Sequence, residues 1–199
     1  MLGRTLPKQL IPSVYSALIN SHLSYCISVW GGNPAHLESL FNAQKKSLRS
    51  IFRVKRSRKV YWVWEYGHTK CYFNENKFLT VHNIYTYTTI IEVFKILKTC
   101  VPSSIYNELF SISNLNDLRL NTPNGRLDAY SKNFYYMAPK LWNITVNSNI
   151  IKDFSLFSIK YMKKHLKQFL LTMQNKFDAG SWHDYNLDYI KYINYNKNN

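Results

Sequence analysis

The sequence predicts a mainly α-helical protein, an irregular helical bundle with room for short strands. Apolar residues recur at helical spacing in several separate stretches, and the first two of these carry a proline placed for a first helical turn. No order of elements along the 199 residues resembles alternating βαβ units. With 46% hydrophobic and 16% aromatic residues the chain is too apolar for a disordered one and has the material for a core.

Residues 1–60 form the first segment. Pro12 suits a first turn, and Val14, Tyr15, Leu18 and Ile19 follow at helical spacing, which predicts a helix over 12–21. The stretch 22–30 fits two patterns: Leu23, Tyr25, Ile27 and Val29 alternate as in a strand, while Cys26 and Trp30 suit a helical continuation. Gly31, Gly32 and Asn33 end it as a turn. Asn33 is a good cap for free backbone N–H groups and Pro34 a good first helical residue, so a helix is expected over 34–53. Leu37, Leu40, Phe41, Leu48, Ile51 and Phe52 share one face of it, with Lys45, Arg49, Arg53 and Arg56 at nearly i, i+4 spacing on the neighbouring face.

Residues 61–110 open with Tyr61, Trp62, Trp64, Tyr66, Tyr72 and Phe73 in no clean period, which reads as a loop or short helical turns against the body. Such rings either fill core, the commoner use, or stack on nucleobases. A long helix follows over 79–98, with Val81, Ile84, Tyr85, Ile91, Phe94 and Leu97 facing the core, although Thr86, Thr88, Thr89, Ile90 and Ile91 lower its intrinsic propensity. Pro102 stops it, and a short helix is expected over 104–110. Residues 111–128, rich in Asn, Ser, Asp, Pro and Gly, form a polar connection and the best internal boundary. In the segment 129–180, APKLWN (138–143) precedes an amphipathic helix that puts Phe154, Phe157, Met162, Leu166, Phe169, Leu170, Met173 and Phe177 near one face and Lys160, Lys163, Lys164 and Lys167 outside it. The tail, 181–199, rich in Asn and Tyr, packs weakly or frays.

The charge is uneven. Lys and Arg number 26 against 11 Asp and Glu, a formal net charge of +15, and the excess gathers before residue 60. From Gln9 to Leu37 there is no Asp, Glu, Lys or Arg; then Glu38 is the one acid ahead of Lys45, Lys46, Arg49, Arg53, Lys55, Arg56, Arg58 and Lys59. A buried anchor thus delivers a cationic surface, and those eight residues are the candidate contacts to the phosphates of RNA or DNA. The plainer reading is a solvated helix face, but no interspersed acids balance this run.

A membrane span is not expected, because Pro12, Ser13, Ser16, Asn20, Ser21, His22, Ser24 and Ser28 interrupt the one charge-free window, and Met1 to Pro7 has none of the pattern of a signal peptide. Cys26, Cys71 and Cys100 are odd in number and far apart, which describes no disulfide framework and fits an intracellular setting, nucleus or cytoplasm.

No catalytic residue is identified. Two-metal chemistry needs clustered carboxylates, and the 11 acids are scattered singly. There is no glycine-rich phosphate loop, HExxH pair or GxSxG elbow. His68, Cys71 and His82 are the nearest approach to a zinc set, at loose spacing that favours plain structural side chains. His22 and Cys26 are one helical turn apart, but an apolar neighbourhood would leave that thiol unreactive. His36, like His22, reads as a surface or structural residue.

Several stretches, taken in order, resemble one family. LIPSVYSALINSHLSYCISVWGG (10–32) followed by HLESLFNAQKKSLRSIF (36–52), His68 and Thr69, LTVHNIYTY from Leu79, FKILKTCVPSSI from Phe94, YSKNFYYMAPKLWN ending at Asn143 and FSIKYMKKHLKQFLL after it look like the region just downstream of the catalytic palm in reverse transcriptases of non-LTR retrotransposons, the jockey-like LINE elements. The resemblance covers most of the chain. It departs from the family pattern at Asn20 and Ser21, in the NTPNGR loop, at Ala138 and at Ile144, Thr145 and Val146. It implies a thumb-like helical segment over about residues 7–59 and a C-terminal helical region that helps hold template and primer. It also implies that the catalytic aspartates and their magnesium belong to a palm outside this chain, so that these residues need no cofactor of their own and do not polymerise alone. The rival expectation is an interaction module, in which Trp30, Leu37, Phe41 and Phe52 meet that palm, or a decayed element copy with no independent activity.

Overall fold

The computed structural model describes residues 7–53, 69–101, 118–122, 132–147 and 158–176. Among them the fold is mainly α, and its helices are arranged round one central helix.

Pro12 lies in the first turn of α1 (Ile11–Tyr15), whose backbone continues through a π-helical stretch, Ser16–Asn20, into α2 (Ser21–Ser24). The helix expected over 12–21 therefore reaches Ser24, and Tyr15 fixes it to the core at 1% exposure. The helical path then breaks. Tyr25 is extended, with ψ 118°, and Cys26 is left-handed, with φ 48°, before α3 (Ile27–Trp30) resumes. A strand over 22–30 would put Leu23, Tyr25, Ile27 and Val29 on one face. Instead Leu23 and Ile27 are buried, while Tyr25 and Val29 are 76% and 69% exposed, the i, i+4 separation of a helix. The Trp30 indole N–H donates to the Tyr25 carbonyl at 2.9 Å and closes the break.

The turn after α3 needs glycine for space. A Cβ on Gly31 would stand 2.5 Å from both the Ile27 carbonyl oxygen and the Tyr85 ring, and one on Gly32 would run into the Lys132 carbonyl. Asn33 then caps α4 (Pro34–Ile51) as its sequence predicts, its side-chain oxygen accepting from the Ala35 N–H at 3.1 Å. Leu37, Phe41, Gln44 and Leu48 form the buried stripe of α4, with Leu40, Ile51 and Phe52 half-buried beside it. The short α5 (Lys70–Glu75) buries Phe73 and stacks Tyr72 on Phe52, ring centroids 4.7 Å apart. This part of the aromatic region packs as short helical turns; its residues 61–68, like the helix expected over 104–110, lie outside the described residues.

The central helix is α6 (Val81–Thr99), touched by α2, α3, α4, α7 and α8. Thr80 caps it through the Asn83 N–H. Its β-branched residues are the answer to its weak intrinsic propensity: Thr86, Thr89, Ile90 and Ile91 are all buried, so packing on every side offsets their helical cost. Cys100, left-handed at φ 54°, ends it just ahead of Pro102. In α7 (Phe134–Asn147) Ala138 and Trp142 are completely buried. The Trp142 indole donates to the Leu118 carbonyl at 2.8 Å, and the Asn143 amide exchanges two 2.8 Å bonds with the N–H and C=O of Leu120, which ties 118–122 to the bundle. The last element, α8 (Ile159–Lys176), buries Met162, Leu166, Leu170 and Met173 and leaves Lys160, Lys163, Lys164 and Lys167 exposed, as its pattern predicts. Phe154, Phe157 and Phe177 lie outside the described residues. Residues from Tyr15 to Leu170 share one hydrophobic cluster, so the N- and C-terminal segments close the same core.

Two buried glutamines join the outer helices to the centre. Gln44 of α4 donates to the Leu79 carbonyl at 3.0 Å and accepts from the Val81 N–H at 2.9 Å. Gln174 of α8 donates to the Phe78 carbonyl at 3.0 Å and accepts from the Thr80 N–H at 3.1 Å. In an extended segment the backbone groups of alternate residues point to opposite edges. Each side-chain amide therefore acts as a one-residue neighbouring strand, and α4 and α8 flank residues 78–81 from opposite sides.

Candidate nucleic-acid interface

The cationic end of α4 begins where its buried stripe ends. Leu37, Phe41, Gln44 and Leu48 hold one side of the helix in the core, so the positions next to that seam are half-covered and those opposite it face water. Lys46 and Arg53 are exposed, whereas Lys45 and Arg49 are half-buried. The four cations expected here are thus in two settings. Lys55, Arg56, Arg58 and Lys59 lie outside the described residues.

Lys45 is used by the fold. Its ammonium sits 4.2 Å from the centroid of the Phe41 ring, and burial, with Arg49 adding to it and Glu38 opposing, lowers its pKa below the usual lysine value. The Phe41 ring also meets His82 edge-on at 5.3 Å and Phe73 at 6.2 Å, so Lys45 closes the rim of an aromatic cluster. Arg53 leaves the i, i+4 row for a backbone reason. The helix stops at Ile51, the Phe52 N–H bonding to Leu48, and Arg53 is left-handed at φ 52°, which turns the chain away from the helix axis. The row expected to continue helically to Arg53 is corrected accordingly: it ends with Arg49, and Arg56 lies outside the described residues. Arg49 itself stands in the last turn, where the helix dipole favours a cation.

The other candidate side chains are dispersed. His82 is buried in α6 and Cys71 is exposed on α5, while His68 is outside the described residues; among the described residues no group of three His, Cys, Asp or Glu could hold a metal ion. The expected apolar shelter for Cys26 is overturned, since Cys26 and His22 are both exposed and the chain breaks between them at Tyr25. His36 is exposed beside Asn33. Leu37 and Phe41, expected on an apolar docking surface, are in the core at 0% and 3% exposure, and only Trp30 and Phe52 keep partial exposure. No helix among the described residues is long and apolar enough to cross a membrane.

Besides the helix α7, where the sequence of 129–147 predicts none, two features were not foreseen in the sequence. One is the glutamine clamp, hidden because a glutamine among lysines reads as surface. The other is a groove of about 460 Å³ between α3, α6 and α7, lined by Val29, Ile96, Val101, Phe134 and Tyr135 with Glu92 and Lys95 at its edge. Its walls come from residues far apart in sequence, which no local pattern marks.

No protein-family model, curated protein or solved structure matches the chain.

Proposed function

We propose that the chain binds the phosphate backbone of RNA or DNA through the C-terminal end of α4, as the non-catalytic post-palm part of a LINE-type reverse transcriptase. The observation that carries this reading is the α4 helix itself: one face is anchored by Leu37, Phe41, Gln44 and Leu48, while Lys46 and Arg53 stand exposed at its cationic end with Arg49 half-exposed beside them. An anchored helix presents its cations without the entropy cost of ordering a loose segment. The family assignment rests on the ordered sequence segments, from LIPSVYSALINSHLSYCISVWGG through YSKNFYYMAPKLWN. Catalysis is assigned to a palm outside these residues, and with it the magnesium. The interaction-module alternative loses Leu37 and Phe41 to the core.

The test is binding to single-stranded RNA and duplex DNA by gel shift over a salt series. The expected result is an affinity that falls steeply with salt and a slope shallower by roughly 1.4–1.8 for Lys46→Glu with Arg53→Glu, at about 0.7–0.9 per phosphate contact. Salt-insensitive binding, or an unchanged slope in that double variant, would overturn it.

A further inference from the structure

The outer face of α8 carries the second concentration of positive charge among the described residues. Lys160, Lys163, Lys164 and Lys167 follow one another at i, i+3, i+4 and i+7, all are exposed, and Ile159–Lys176 contains no Asp or Glu. Lys160 with Lys163 and Lys164, and Lys167 with Lys163 and Lys164, are like-charge pairs at three- or four-residue spacing, which opposes helix formation. The buried stripe of Met162, Leu166 and Leu170, each fully inaccessible, holds the helix in place against that repulsion. Tyr161, half exposed, and His165 border the lysines on the next strip of the helix, their rings stacked at 5.8 Å with an interplanar angle of 11°.

We propose that this face of α8 is a second, independent binding surface for the sugar–phosphate backbone of a nucleic acid, with the Tyr161–His165 pair as a platform for a base. The dimensions fit. From Lys160 to Lys167 the helix rises about 10 Å, at about 1.5 Å per residue. That length runs alongside about three phosphates of one strand, at a rise of about 3.4 Å per nucleotide. Aromatic rings next to a backbone-tracking cationic row are the arrangement that sequence-tolerant binders use, since every base has a π face. A membrane surface suits the helix less well, because interfacial helices insert an apolar face and the apolar face of α8 is spent on the core.

This proposal does not rest on the α4 reading. The lysines of α8 and the cations of α4 belong to different helices and share no residue, and either surface can fail alone.

The experiment has three arms on the full chain, with fluorescence-labelled single-stranded RNA as the probe. The first compares salt slopes for the wild type, for Lys160→Gln with Lys163→Gln and Lys167→Gln, and for a charge-matched control, Lys77→Gln with Lys95→Gln and Arg119→Gln. The α8 variant is expected to lose about 2 from the slope, at about 0.7 per contact, and Lys→Arg at the same three positions to retain it, with the control unchanged. The second needs no variant: acetylation of lysines read by mass spectrometry, with RNA expected to protect Lys160, Lys163, Lys164 and Lys167 but not Lys77 or Lys95. The third offers vesicles containing phosphatidylserine, to which no binding is expected. An unchanged slope in the α8 variant, an equal loss in the control, unprotected α8 lysines, or preference for vesicles over RNA would each overturn the proposal. Loss of slope for Lys46→Glu with Arg53→Glu together with an unchanged slope for the α8 variant would leave the α4 reading standing and remove this one.

Discussion

His82 shows how one residue changes meaning between sequence and structure. By type it is a metal ligand or a base; by place it is a buried ring in α6, edge-on to Phe41. Burial pushes its pKa down from 6.5 to about 4, with nearby Glu38 raising it and Lys45 lowering it further. A depressed pKa in the folded state means that the unfolded chain binds the extra proton between about pH 6.5 and 4, so stability falls as pH drops through that window. The full loss is of the order of 3 kcal/mol, at about 1.4 kcal/mol per pH unit of pKa difference. Urea unfolding at pH 7.5 and at pH 5 reads this directly, and His82→Gln is expected to flatten the difference. Equal pH dependence in the variant would place the acid sensitivity elsewhere. Lys45 makes the same point among the cations, since its place in the basic row was legible but its contact with the Phe41 ring was not.

At the scale of elements, periodicity located most helices well, and the deviations have local causes. α4 and α6 appear close to their expected limits, and α8 buries the middle of its expected stripe, because caps and apolar stripes coincide there: Asn33 for α4, Thr80 for α6 and the Met162–Leu166–Leu170 row for α8. The stretch 22–30 was ambiguous because alternation and helical spacing share residues, and burial of Leu23 and Ile27 alone decided it. The break between α2 and α3 costs strain at Cys26, an L-residue held at φ 48°. Left-handed backbone is unfavourable by about 1–2 kcal/mol for such a residue and is free of that cost for glycine. Cys26→Gly is expected to raise stability by up to about 1 kcal/mol and Cys26→Val to lower it, as measured by thermal melting. A melting temperature lowered by glycine would show that the thiol makes a contact worth more than the strain.

Over the whole molecule the decisive contacts are polar and buried. Gln44 also donates to the Tyr15 hydroxyl at 2.9 Å, and Gln174 accepts from the Asn83 amide at the same distance, so Gln44 links α1, α4 and the start of α6, while Gln174 links α8 to α6 and to the segment that leads into it. Truncating either leaves a backbone N–H and a C=O buried without a partner, at about 1–3 kcal/mol for each group. Gln44→Leu and Gln174→Leu are each expected to destabilise by about 3 kcal/mol or more in urea unfolding. A cost below about 1 kcal/mol would mean that residues 78–81 find other partners. Because the clamp fixes α4 and α8 on opposite edges of one extended segment, it also fixes where their two cationic faces stand.

The sequence by itself determined the helical class, the capped starts of α4, the apolar stripes of α4 and α8, and the presence of cations beside them, because each of these follows from spacing within a single segment. It also showed the 11 acids scattered singly along the chain. Only the tertiary structure decided that α6 is the central helix, that Lys45 closes an aromatic cluster while Lys46 stays exposed, and that Gln44 and Gln174 are core residues. Those outcomes depend on which faces meet. Gln44 reaches across 35 residues to Leu79 and Gln174 across 96 to Phe78, distances along the chain over which no local period carries information.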